Sequence, residues 1–485
     1  MSLFKIAWRS IQQRWLASML TMISMALGVM LVVGVLLMSG IVTESFRSNA
    51  SLGYNMIVGA NGGDLQMTLN TVYYLSKPVE NIPYWYYQQF LPAADRPDGK
   101  DGKFADYATF AIPLCLGDYF QEFRVIGTVP ALFDDFEYDV EKGRKYEIAS
   151  GRNFQVKSAE HGYFEAVVGA KVAKDSGLKV GDTFSPTHGT PDGDVHDEFF
   201  VVGVLKSSGT PNDRAVFVNM EGFFLLEGHA KVEEDEEGNP IKPPTVKSDE
   251  ELVQFKNIPL DLQYDKSVCR ISEDRFNLRP LPLAQREVTS VLLRTANEYL
   301  APGLKRTINK DKFARAVTPI SEIYNLFSKI VNPVKWMFLM LTIMICIVSG
   351  ISILVSIYNS MSERKHEIAV IRSLGAGKRT VMSIVLLESV LLSLGGGLLG
   401  WFGGHLLVGG LASPVVEDQT GVSIGVFDFA PKVQPLAFLG NSSIMDWGIS
   451  SEFLLIPGLI LLAIIVGFLP ALAAYRTDVA KALSS

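Results

Sequence analysis

Charged side chains are absent from three long stretches of the chain, residues 15–43, 336–362 and 453–475. Each exceeds the roughly 20 apolar residues that cross a bilayer as a helix. A fourth stretch, 380–416, is apolar except for Glu388 and His405. At about 1.5 Å per residue it is too long for one upright span, so it starts outside the hydrocarbon or bends at its glycines. The pattern predicts four transmembrane helices, at 16–43, 334–361, 380–412 and 453–475. The first is longer than the apolar region of a signal peptide, about 7–15 residues, and reads as an uncleaved anchor.

Polar positions set the orientation. Lys5, Arg9 and Arg14 precede the first span. Arg364, Lys365, Arg372, Lys378 and Arg379 lie between the second and third, and Arg476 and Lys481 follow the fourth. The loop at 413–452 instead holds Glu417, Asp418, Asp428, Asp446 and Glu452 against Lys432. Basic residues collect on the cytoplasmic side, so both termini, and the tail 476–485, are expected there. Phe4, Trp8, Ile11 and Trp15 recur at helical spacing, with Lys5, Arg9, Gln12 and Gln13 opposite. Residues 1–15 thus read as an amphipathic helix on the lipid of the inner leaflet.

Residues 44–333 fall outside and are long enough for a folded domain. Runs at 123–129, 166–169, 198–205, 215–219 and 288–293 read as strands. Residues 170–176 read as a short helix stopped near Gly177. Helices are also expected at 299–313 and 320–330. The fold class is therefore a membrane α-helical bundle of four spans, one plus three. A large mixed α/β extracytoplasmic domain is inserted between the first and second spans. Residues 230–251 are charged, proline-bearing and nearly free of large apolar groups, and read as a mobile acidic insertion.

Composition adds charge placement and a few exclusions. The chain has 485 residues, 48% hydrophobic and 20% charged, with a net charge of −7. The insert at 44–333 nets −10 and the rest +3, which together make the −7. No basic patch argues for nucleic acid. Three cysteines exclude a disulfide framework. Cys115 and Cys269 both lie outside, where a bridge could persist, and spacing leaves their pairing open. Cys346, inside the second span, reads as a packing residue.

Two kinds of chemistry bear on the exterior. His161, His188, His196 and His229 are spread along it, and His188 and His196 with Asp192 could ligate a metal. The segment 185–198 is rich in Gly, Pro and Asp, however, and turn chemistry accounts for its acids. No metal site is expected on that reading. HExxH and GxSxG are absent, so no catalytic residue is assigned and the chain is expected to be a non-enzyme. Gly375-Ala376-Gly377-Lys378 superficially resembles a phosphate-binding loop. It lacks the leading glycine, and Lys378 is followed by Arg379.

The cytoplasmic loop at 362–379 carries the most specific pattern. Ile368, Ile371 and Leu374 form one helical stripe, flanked by Glu363, Arg364, Lys365, Glu367 and Arg372, and Gly375 and Gly377 stop the helix. A short amphipathic helix so placed can dock in a partner's groove. In the third span Gly396, Gly400 and Gly404 make a small-residue face for close packing, expected against span two or a dimer mate. Glu388 is an intramembrane carboxylate, functional by default, unless it lies at headgroup level. His405 has no evident role.

The loop His366-Glu367-Ile368-Ala369-Val370-Ile371-Arg372-Ser373-Leu374-Gly375-Ala376, then Leu387-Glu388 and the glycines from 395 to 400, resembles the permease domain of FtsX-like and MacB-like ABC transporter subunits. The exterior, with Gly151-Arg152-Asn153-Phe154, Val167-Val168-Gly169, Gly181-Asp182 and Phe199 to Leu205, resembles the MacB-like periplasmic core domain. The resemblance implies a permease subunit in a bacterial inner membrane, dimerised as a homo- or heterodimer. It also implies a separate ABC ATPase that binds ATP and Mg2+, while this chain binds no cofactor. The coupling helix, Glu363, Arg364, Lys365, Glu367, Ile368, Ile371, Arg372, Leu374 and Gly375, would lie on that ATPase. ATP hydrolysis would then drive the exterior for export or membrane extraction, with room for a periplasmic adaptor. The alternative is an FtsX-like signalling subunit that activates an extracytoplasmic partner without transport.

Overall fold

A computed structural model describes residues 2–226, 228–229, 280–281, 283, 286–363, 365–433 and 449–476. The chain divides into two compact units, Met1–Ser45 with Phe327–Ser485, and Phe46–Leu326.

The first unit is helical. Helix α1, Leu3–Gln13, begins at Ser2, whose hydroxyl accepts from the Lys5 N–H, and breaks at Arg14. Helices α2 (Trp15–Asn49), α3 (Asn332–Glu363), α4 (Lys365–Ser373), α5 (Lys378–Leu406) and α6 (Leu455–Arg476) follow. Four helical runs, Trp15–Asn49, Pro319–Asn359, Lys378–Glu417 and Ser451–Ala473, are long and apolar enough to cross a membrane. The long third run changes winding beyond Leu406. A π-helical turn at Leu407–Ala412 joins α5 to a short helix, Ser413–Thr420, ended by Gly421.

Small residues let these helices approach. Ser24 and Ser349 share a 3.1 Å hydroxyl contact between α2 and α3. Ser393 of α5 donates to the Leu459 carbonyl of α6. On α1, Ala7, Ser10 and Ile11 are buried, while Phe4 and Trp8 stay exposed. That exposed pair is the apolar face available to lipid.

The second unit is built on one mixed ten-stranded sheet. Its strands are β1 Met56–Gly59, β2 Ala108–Phe120, β3 Phe123–Thr128, β4 Ile148–Gly151, β5 Glu165–Val168, β6 Thr183–Phe184, β7 Phe199–Leu205, β8 Ala215–Asn219, β9 Ser290–Thr295 and β10 Arg315–Val317. The order is β10-β1-β9-β2-β3-β8-β5-β7-β4, with β6 on β7. β3 pairs parallel with β8 and β5 with β7; the other pairs are antiparallel.

Both faces are covered, so the central strands are buried and mostly apolar on both sides rather than alternating, with polar residues such as Arg124, Glu165 and Asn219 at or near strand ends. Val125, Val216, Ala166 and Val201 face one core, which Tyr86, Phe90, Phe224 and Leu304 complete. Ile57, Leu292 and Ile112, in register, are buried on the other face, as are Ile126, Phe217 and Val167.

Four of the expected strands lie within a residue of β3, β5, β7 and β8. The helix at Ala170–Ser176 ends on Gly177 in the left-handed conformation. The helix expected over 299–313 is shorter, Ala301–Ile308, because its C-cap Asn309 turns its side chain onto the Ala316 backbone of β10. The longest strand, β2, had no sequence expectation. Pro113 and Gly117 interrupt its apolar run, and both normally weigh against strand interiors. Pro113 nonetheless sits opposite Val291, and a bulge between Leu116 and Asp118 absorbs Gly117. The acidic insertion at 230–251, Cys269 and the tail from 477 lie outside the described residues.

Candidate functional site

The loop between the second and third apolar runs is a short helix with a fixed stop. After α4 the Gly375 N–H bonds to the Arg372 carbonyl and the Ala376 N–H to the Ile371 carbonyl. This paired closure needs a left-handed residue, and Gly375 supplies φ of +102°. Ile368 and Ala369 are buried, Ile371 and Arg372 are half-buried, and Leu374 is 82% exposed. The expected stripe therefore splits. Ile368 anchors the helix to its own unit, whereas Leu374 points away from it. Arg364 lies outside the described residues, as do the side chains of Glu363, Lys365 and Glu367.

Glu388 is buried in α5 at 3% exposure and has a cation. Its Oε1 accepts from Arg14 Nη2 at 2.9 Å and from Ser10 Oγ at 3.0 Å. Arg14 also donates to the Ser356 carbonyl of α3 at 3.3 Å. Three helical segments thus meet at one carboxylate, at the corner where α1 becomes α2. The small-residue face of α5 meets α2, not span two or a dimer mate. A methyl group added at Gly396 would lie 2.8 Å from the Met22 carbonyl oxygen, and one at Gly400 2.4 Å from that of Ala26. At Gly404 it would lie 2.8 Å from Val33. The spacing was legible, but the partner was not.

His405 also gains a setting. Its Nε2 lies 2.7 Å from Glu452 Oε2 and its Nδ1 lies 3.0 Å from the Val426 carbonyl. Trp401 Nε1 and Ser450 Oγ each donate to the same carboxylate at 2.9 Å. Glu452, by sequence one of several loop acids, is 1% exposed.

The exterior motif residues form a second network. Arg152 clamps Glu165 with two hydrogen bonds, at 2.8 and 2.5 Å. The Gln155 N–H donates at 3.0 Å and His161 Nδ1 lies at 3.2 Å. Burial alone would raise the Glu165 carboxyl, but these donors outweigh it and hold it at about 2. Gly151 has φ of +79°, and a methyl there would lie 2.1 Å from the Val202 carbonyl oxygen, so the motif's glycine is steric. Phe154 fills the core beneath, edge-on to Phe133. These residues hold β4, β5 and β7 together; none is arranged for catalysis.

The fold brings three of the four exterior histidines together. His188, His196 and His229 converge on Asp118, within 4.8 Å of one another through their ligand atoms. Asp192 is exposed and outside this group. Its place is taken by Asp118, 70 residues before His188 along the chain. Only the fold, which lays the 185–198 segment across β2, shows this. His161 belongs to the Glu165 network instead. Cys115 is buried, its thiol pushed up by that burial, and it points its sulfur at the Glu287 carbonyl at 3.6 Å.

Four long apolar helices, one before and three after a mixed α/β domain along the chain, define a multi-pass membrane protein. Residues 18–239 match the family model of the MacB-like periplasmic core domain, and residues 339–479 match that of the FtsX-like permease C-terminal domain. The chain belongs to the ABC permease family that combines these two domains. Neither domain type is catalytic. No curated protein matches the chain.

Proposed function

We propose that the chain is the permease subunit of an ABC transporter whose energy comes from a separate ATPase. The observation that carries this reading is the pair of family matches in the order of the four apolar runs. The local structure supports it. A short helix with a fixed stop presents an exposed leucine between α3 and α5, the kind of anchor a groove takes up. Glu363, Arg364, Lys365, Glu367 and Arg372 supply the charges around it. ATP and Mg2+ bind to the partner, and this chain turns the partner's closure into movement of its exterior. A dimer of permeases and two ATPase copies complete the assembly. The termini and α4 are cytoplasmic and residues 46–326 are extracytoplasmic in the inner membrane. Export or extraction is favoured over signalling because the exterior matches the MacB-like domain.

The test is reconstitution with the ATPase. Glu367→Ala with Arg372→Ala should leave the protein in the membrane and abolish permease-stimulated ATP hydrolysis. Unchanged stimulation would overturn the coupling role of α4. In a background without native cysteines, Lys142→Cys should react with an impermeant maleimide from outside, and Ser373→Cys should not. The reverse pattern would invert the topology.

A further inference from the structure

We propose that Asp118, His188, His196 and His229 bind one divalent transition-metal ion of the zinc class in tetrahedral coordination. A tetrahedron with arms of about 2.0–2.1 Å, as zinc makes with imidazole and carboxylate, has edges near 3.3 Å. The side chains already stand on such a figure. His188 Nδ1 is 3.2 Å from His196 Nε2, and His196 Nε2 is 3.3 Å from His229 Nε2. The carboxylate completes it, with Asp118 Oδ2 3.2 Å from His229 Nε2 and 3.5 Å from His196 Nε2, and Oδ1 3.6 Å from His188 Nδ1.

Hydrogen bonds cannot satisfy this arrangement. His196 Nε2 faces two imidazole nitrogens and a carboxylate, but one ring nitrogen offers a single proton or a single lone pair. Protonating all three rings would place three cations in contact. Asp118 is fully buried, and neither oxygen has a hydrogen-bond partner among the described residues. A buried carboxylate without a donor is costly, and a cation at the common centre removes that cost while using all four lone pairs.

The ligands are held in place from behind. A bulge at Leu116 and Asp118 re-aims the aspartate out of β2. The His188 and His196 loop is strapped to the same strand. Tyr119 and Thr187 exchange backbone hydrogen bonds at 3.0 and 2.8 Å, and the His188 and His196 N–H groups bond to Asp194 and Pro186 at 2.9 and 2.8 Å. The His229 ring stacks edge-on to Phe223 at 4.4 Å. His188 is half-exposed and borders an open cavity of about 490 Å³, which gives an ion a route in. Four protein ligands leave no open position, so the site is a clip and not a catalytic centre. It ties together β2, the 185–198 loop and the chain beyond Leu226. Nitrogen and oxygen donors in a tetrahedron suit zinc, where copper would ask for a tetragonal set.

The experiment uses the full chain, freed of any affinity tag, stripped with chelator and titrated with Zn2+. Elemental analysis after gel filtration should find about one zinc per chain. Loading with Co2+ should give the intense visible bands of a tetrahedral complex. His196→Gln should retain less than about a tenth of an ion, and its thermal midpoint should match the unsubstituted chain in chelator but not rise with Zn2+. If that variant fails to fold, His188→Gln, at a half-exposed position, takes its place. Absence of stoichiometric zinc, the pale spectrum of six-coordinate cobalt, or full retention in the triple His188→Gln, His196→Gln, His229→Gln chain would each overturn the site.

Discussion

Glu165 and Asp118 are equally buried, both 0% exposed, in strands of the same sheet. One lies where β4, β5 and β7 meet and is wrapped by donors, a guanidinium among them. The other lies at the bulge of β2, where three imidazole nitrogens face its oxygens and Arg124 acts on it through charge without a hydrogen bond among the described residues. The first carboxylate is neutralised by the protein's own cation, as Glu388 is by Arg14 in the helical unit. The second is built so that its cation comes from solution. Burial alone therefore does not classify a carboxylate; the atoms it meets do.

Removing the internal cation should produce the largest effect. Arg152→Ala leaves Glu165 buried without its partner and is expected to cost about 3 kcal/mol, the low end for a buried pair because Arg152 is half-exposed. Thermal unfolding of the full chain in detergent reads this directly. Acid comes next. The folded Glu165 carboxyl lies at about 2, below the ordinary value of 4.5, so its contribution is present above pH 4.5 and is lost as pH falls toward 2. The unfolding midpoint should drop over that window, and Glu165→Gln should flatten this part of the drop. Glu388→Gln, in the helical unit, should cost about 1–2 kcal/mol, since a neutral amide keeps a hydrogen bond to Ser10 but loses the charge of Arg14. Asp118→Asn should run the other way in chelator, raising stability by about 1 kcal/mol as an uncompensated charge is removed. With Zn2+ present the order of the two proteins should reverse. The exposed pair Lys206–Glu147, at 2.7 Å, should give no measurable shift in midpoint on Lys206→Ala. A destabilised Asp118→Asn in chelator would mean that Asp118 already has its cation, and the contrast would collapse.

How much of this was readable beforehand followed from the range of each interaction. The apolar runs were legible because a bilayer demands an unbroken length of them. Strands β3, β5, β7 and β8 were legible because burial on both faces writes a short run rich in Val and Phe. β2 was not, since Pro113 and Gly117 break its run and only its pairing with β9 and β3 reveals it. Gly396, Gly400 and Gly404 announced a close contact by their spacing, but spacing carries no information on which helix fills it. Leu374 was grouped with Ile368 by periodicity, and the Gly375 stop turns it the other way. At the histidine cluster, His188 and His196 were near enough in sequence to be paired. Asp118 and His229 come from other segments, and the nearest acid by number, Asp192, was the wrong one.

The Arg14–Glu388 bridge also bears on how the chain is made. Its two members are 374 residues apart in sequence. At translation rates of roughly 5–20 residues per second, Arg14 and Ser10 emerge roughly 20–75 seconds before the carboxylate that joins them. Until then the corner between α1 and α2 lacks this acidic partner, and the whole inserted domain is synthesised in the interval. Arg14 can wait by extending its head to the lipid interface. Glu388 cannot wait as easily, being the group that is buried, and it arrives last, when its cation is already in the membrane. The order of synthesis thus spares the bilayer an unpaired acid.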